Sequence, residues 1–205
     1  MKVDRALFLG NSITMHPPVP DEDWPGDCGM AASAPDKDYV HLLLARFAEA
    51  AGGRTPDAIV ENIADFERHH DTFDIPTAFT KHIDFRPDVV ILAIGENVPS
   101  LTTDEAKMTF RDAVVELLIA LKSSGSPEII VRSCFWPAPD RDEMLRRACT
   151  KVGGTFVEIG QLGTDKSNFA SAERMFKNVD VGNHPGDKGM AAIAETIWSS
   201  IGRRL

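Results

Sequence analysis

The chain has 205 residues, of which 43% are hydrophobic and 26% charged. That composition is ordinary for a globular protein and excludes a disordered, collagen-like or membrane-spanning chain. Its 22 basic and 31 acidic residues leave a net charge of −9, and without a basic block such a chain is a poor partner for nucleic acid or an anionic membrane.

The length suits one domain over residues 1–205, able to bury roughly 70% of the surface its unfolded form exposes. The three cysteines, Cys28, Cys134 and Cys149, are odd in number, far apart and without a Cys-x-x-Cys pair. That pattern fits a reducing compartment and disfavours both a disulfide framework and a zinc site. Near the N-terminus, the apolar run Ala6-Leu7-Phe8-Leu9 falls short of the ~7–15 residues of a secretory segment. It reads instead as a first strand, Arg5–Gly10, and the protein as cytoplasmic.

Further elements follow by periodicity. Asp38–Ala51 has helical spacing, Ala58–Ala64 is a short β-prone run, and Pro76–Ile83 reads as a short helix. Asp88–Ile94 is continuously apolar after its first residue, as expected of a central parallel strand buried on both faces. Thr103–Ser123 reads as a long amphipathic helix capped by Thr102 or Thr103. Glu128–Arg132 and Thr155–Ile159 read as strands, and Asp140–Lys151 and Gly186–Ile201 as helices. Strands alternating with helices in this way predict a three-layer α/β/α domain, flavodoxin-like, around a five-stranded parallel sheet. His16–Asp36 and Gln161–Pro185 stay irregular, and loops of that length in a compact domain are commonly functional.

Ligands bind at the carboxyl ends of parallel strands. Those ends carry Gly10-Asn11-Ser12-Ile13-Thr14, then Asn62 to Arg68, Gly95-Glu96-Asn97 and Ser133-Cys134-Phe135-Trp136. Asp180-Val181-Gly182-Asn183-His184-Pro185 precedes the last helix. A serine, an asparagine and a histidine thus fall on one sheet edge. Ser and His are the minimal pair for acyl transfer, and Asn amides and main-chain N–H groups are oxyanion donors. Gly-x-Ser-x-Gly, the α/β-hydrolase elbow, is excluded because Thr14 occupies its final position.

These blocks resemble the SGNH, or GDSL-like, hydrolases. Gly10-Asn11-Ser12-Ile13-Thr14 is similar to a first block that commonly reads Gly-Asp-Ser-Ile/Leu-Thr. Gly95-Glu96-Asn97 is similar to the Gly-x-Asn block, and His184-Pro185-Gly186-Asp187-Lys188-Gly189 to a final His-Pro-Asn-x-x-Gly run. The resemblance implies a serine esterase with Ser12 as nucleophile, His184 as general base and then acid, and Asn97 in the oxyanion hole. It departs at two places. Ala64 stands where the second block has Gly, so the oxyanion N–H comes either from Ala64, provided φ is not positive there, or from Gly29 in the long loop after Ser12. Val181 stands where Asp is usual, three residues before His. Either Asp180 still reaches His184, or a main-chain carbonyl orients the imidazole in a Ser-His dyad.

Simpler readings exist for each residue. Ser12 could be a helix N-cap, His184 the surface opening of the last helix before Pro185, and Asn97 a turn residue. Glu67, His69, His70, Asp71 and Asp74 lack metal-ligand spacing and read as a solvated loop, with Glu67 or Arg68 facing the pocket. Trp24, Phe135 and Trp136 are core residues or cleft walls, Trp136 being the better wall. Arg68 and Arg132 bind an anionic substrate group or pair with acids. The expected partner is a small-molecule or carbohydrate ester, an acetyl ester being preferred because the His16–Asp36 loop would narrow the pocket. No cofactor and no metal are expected. The alternatives are a flavodoxin-like phosphate- or nucleotide-binding protein, with Ser12 and Thr14 as donors, and a catalytically impaired SGNH-fold binding protein.

Overall fold

The structure, a computed structural model, describes residues 2–19, 21 and 23–201. Met1, Pro20, Glu22 and residues 202–205, which the expected single domain and the first long loop include, lie outside the described residues. Strands β1 (Arg5–Gly10), β2 (Asp57–Asn62), β3 (Val89–Ala93), β4 (Glu128–Arg132) and β5 (Thr155–Val157) form a five-stranded sheet in the order β2-β1-β3-β4-β5. Every pairing is parallel. The three-layer, flavodoxin-like expectation therefore holds.

Side-chain alternation sorts the sheet's two faces. Ala6 and Phe8 of β1, with Val89 and Ile91 of β3, face a core shared with α1 (Tyr39–Ala50) and α8 (Asp187–Ile201). Phe47 of α1 meets Trp198 of α8 edge to face at 5.5 Å. Leu7, Leu9, Val90 and Leu92 face the opposite core, built with α2 (Ala64–His69), α3 (Ile75–Ala78), α4 (Thr80–Asp84), α5 (Asp104–Lys122) and α6 (Pro139–Lys151). A strand buried on both faces needs unbroken apolar sequence, which β3 has. Thr103 caps α5 by accepting from the Ala106 N–H at 3.1 Å, and Asp38 caps α1 through the His41 N–H at 2.8 Å.

The differences from expectation are local. The second strand ends at Asn62, because Ala64 opens α2 rather than a loop. One expected helix over Pro76–Ile83 is two, since Asp74 accepts from Thr77 and starts α3 before Pro76, and Phe79 breaks the run. The last strand stops at Val157, where the Ser133 hydroxyl takes over the Ile159 and Gly160 N–H groups, at 2.8 and 3.1 Å. Within Gln161–Pro185 lie 3-10 turns and the short helix α7 (Val179–Gly182). No helix among the described residues is long and apolar enough to cross a membrane.

Candidate active site

In this strand order β1 and β3 are neighbours, with their following segments leaving the sheet at the switch point where such folds bind ligands. Gly10 pairs with Ala93 there. Ser12 follows β1 in a turn closed by N–H bonds from Thr14 and Met15 to the Asn11 carbonyl, at 2.9 and 3.0 Å. Thr14 and Tyr39 share a buried hydrogen bond of 2.7 Å that anchors this turn to α1. After β3, Gly95 takes φ +128°, and a Cβ there would meet the Cys134 sulfur at 2.4 Å. Only glycine suits that position.

The Ser12 hydroxyl donates to His184 Nε2 at 2.8 Å. On the far side of the ring, Nδ1–H donates to the Asp180 main-chain carbonyl, also at 2.8 Å. That second bond fixes the tautomer with the Nε2 lone pair toward the serine. The local backbone makes it available: the His184 N–H bonds to Val181 O at 3.0 Å, leaving the carbonyl of Asp180, in the single turn of α7, to the imidazole. The expected carboxylate role of Asp180 is thereby corrected, because its side chain is exposed and the contact it makes is through the main chain. Burial pushes the His184 pKa below its ordinary 6.5, more than the Asp180 carbonyl and Glu96 hold it up. Trp136 packs edge to face on the His184 ring at 5.3 Å. It supports the base but is not among the residues lining the cleft.

The cleft has a volume of about 580 Å³ and is lined by Ser12, Met15, His16, Pro17, Met30, Glu61, Asn62, Ala64, Asp65, Arg68, Asn97 and His184. Ser12, His184, Asn97 and Ala64 are thus brought together. Ala64 has no positive φ, but its N–H already donates to the Asn62 side chain at 3.0 Å. Gly29 does not join them. It is buried, and its N–H donates to the Asp38 carboxylate at 3.0 Å, so it holds the loop to α1 instead of facing the reaction.

Beneath the cleft is a buried polar group that sequence reasoning missed. Glu67, Glu96, Arg132 and Asn11 converge there. Arg132 donates to Glu96 at 2.6 Å and to the Ser133 carbonyl at 2.9 Å. Arg132 is fully buried, so it pairs with an acid and does not face the cleft, whereas Arg68 does. The Phe135 N–H donates to Glu96 at 2.9 Å, and the Asn11 amide donates to Glu96 at 2.7 Å. Glu67, read as part of a solvated loop, is fully buried. Burial and the neighbouring Glu96 push its carboxyl up, while Arg132 holds that of Glu96 down. The missed signal was an arginine closing the apolar run Ile129–Val131, since a charge in a buried strand needs a partner. Trp24 and Phe135 are core residues, and no metal-holding group of three or more His, Cys, Asp or Glu occurs among the described residues.

No family model matches the sequence, and no curated protein matches it. Solved structures do. A protein described as a GDSL-like lipase, from Bacteroides uniformis, superposes with a TM-score of 0.60 at 14% identity, over 98% of this chain and 96% of its own. A lipase/acylhydrolase from Enterococcus faecalis gives 0.61 at 15%, over 98% and 96%. An acetyl xylan esterase from Butyrivibrio proteoclasticus gives 0.56 at 12%, with 98% of this chain matching 64% of that one. At such identities the likeness is one of architecture, and the chain shares the fold of these GDSL-like and carbohydrate-esterase structures.

Proposed function

We propose that the protein is a serine esterase working through a Ser12–His184 dyad. The observation that carries this reading is the pair of 2.8 Å bonds that run from the serine through the imidazole to the Asp180 carbonyl. Ser12 Oγ attacks the ester carbonyl as His184 Nε2 takes its proton. The Ser12 main-chain N–H and the Asn97 amide hold the oxyanion. Collapse breaks the ester C–O bond, and the imidazolium returns the proton to the departing alcohol. Water, deprotonated by the same imidazole, then releases the acid and frees Ser12.

The reading favours a short acyl group, acetyl, on a carbohydrate or similar alcohol. Polar groups along the cleft (Asn62, Asp65, Arg68 and Asn97) suit a hydroxylated alcohol, and Met15, Pro17 and Met30 suit a small acyl chain. An acetyl xylan esterase shares the fold. Wild type and Ser12→Ala are compared on chromogenic acetyl and octanoyl esters, and acetate release is followed from acetylated oligosaccharides. The expected result is acetyl over octanoyl preference and a loss of ~10⁴-fold or more in Ser12→Ala. Turnover that survives in Ser12→Ala removes the nucleophile assignment.

A further inference from the structure

Glu67 is a buried acid that the proposed chemistry does not consume. Its Oε1 accepts from the Gly95 N–H at 2.6 Å, the Asn97 N–H at 3.2 Å and the Asn11 amide at 3.4 Å. Its Oε2 accepts from Asn97 Nδ2 at 2.8 Å. All four donors belong to the segments after β1 and β3, the two that carry Ser12 and Asn97. Burying a carboxylate costs several kcal/mol unless such donors offset it, so its place here calls for a reason.

The reason lies in the amide of Asn97. A side-chain amide presents a donor or an acceptor depending on which way it is turned. Turned one way, Asn97 offers N–H to a developing oxyanion. Turned the other, it offers Oδ1, which repels that charge. An ionised carboxylate only accepts, so Glu67 holds Nδ2 and leaves its second hydrogen for the cleft. On the opposite side, Arg68 Nη2 donates to Asn97 Oδ1 at 3.4 Å, which reinforces the same orientation. We infer that Glu67 is a positioning residue that fixes the Asn97 amide, and the Gly95–Asn97 turn with it, in the donor orientation required by an oxyanion. The inference rests on the esterase reading above.

The test compares Glu67→Gln, Asn97→Ala and the double variant with wild type on a short-chain chromogenic ester, separating kcat from KM. Asn97→Ala is expected to lower kcat by ~10²–10³-fold, and Glu67→Gln by up to as much, each with KM within about 2-fold. If Glu67 acts through Asn97, the double variant is no slower than Asn97→Ala. Losses that multiply, or a wild-type kcat in Glu67→Gln, overturn the inference. A second readout needs no turnover: the Asn97 side-chain ¹H–¹⁵N pair shifts in Glu67→Gln, and an unmoved pair overturns it too. Should Glu67→Gln fail to fold, Glu67→Asp, which keeps the charge but retracts it, is read the same way. A wild type without Ser12-dependent turnover fails the esterase reading instead, and the amide shift then decides on Glu67 alone.

Discussion

At the level of single residues, the His184 imidazole is held by a main-chain carbonyl, and on the proposed mechanism that choice has measurable consequences. The Asp180 side chain is exposed, while its carbonyl receives the imidazole proton. Asp180→Asn is therefore expected to change kcat/KM by no more than ~5-fold, because the exposed carboxylate acts on the ring only through its charge, worth about 1 kcal/mol or less, and the main-chain acceptor stays. Steady-state kinetics on the acetyl ester decides this. A carbonyl carries no full negative charge, so it supports the protonated ring less than a carboxylate does. Burial then prevails and keeps the His184 pKa below 6.5. The imidazole must be neutral to accept the serine proton, so activity falls as pH drops through that lowered value. The acid limb of kcat/KM is expected to have its midpoint below pH 6.5, and a pH–rate profile with a limb above it would contradict the burial argument.

Between elements, the strand ends are tied together by charges. Asn11 bridges Glu67 and Glu96 with one amide, at 3.4 and 2.7 Å. Where resembling first blocks commonly have Asp, this chain needs a donor, because Asn11 stands between two carboxylates, of which only Glu96 is paired with Arg132. Asn11→Asp is expected to destabilise the fold by about 2–4 kcal/mol, since it exchanges a buried donor for a third buried acid. Urea unfolding measures it. The sheet itself was legible: β1 and β4 have the expected limits, because apolar strands bounded by turn signals are a local pattern. Ser12, Asn97 and His184 were legible for the same reason, lying in short blocks at strand ends. The Glu67–Glu96–Arg132 group was not, because its members come from α2, the turn after β3 and the end of β4, and only folding brings them together. Gly29 misled for a related reason. Its N–H faces Asp38, a contact set by how a long loop closes rather than by its own neighbours in sequence.

For the whole molecule, the cysteines give a plain readout of packing. Cys28, Cys134 and Cys149 are all free and buried, and burial raises the thiols of Cys28 and Cys149 to about 11. Thiolate is the reactive form, so a thiol-titrating disulfide reagent is expected to find none of the three in the native protein and all of them in denaturant. A fast-reacting native thiol would place one of them at the surface. Cys28 belongs to the apolar layer on one side of the sheet and Cys149 to the layer on the other, and Cys134 is fully buried after β4.

Ser12 and His184 stand 172 residues apart in sequence. A nascent or truncated chain that ends before α8 has docked holds an unactivated hydroxyl, whatever else has folded. On the esterase reading, the recovery of hydrolysis during refolding therefore clocks the arrival of the segment that carries His184.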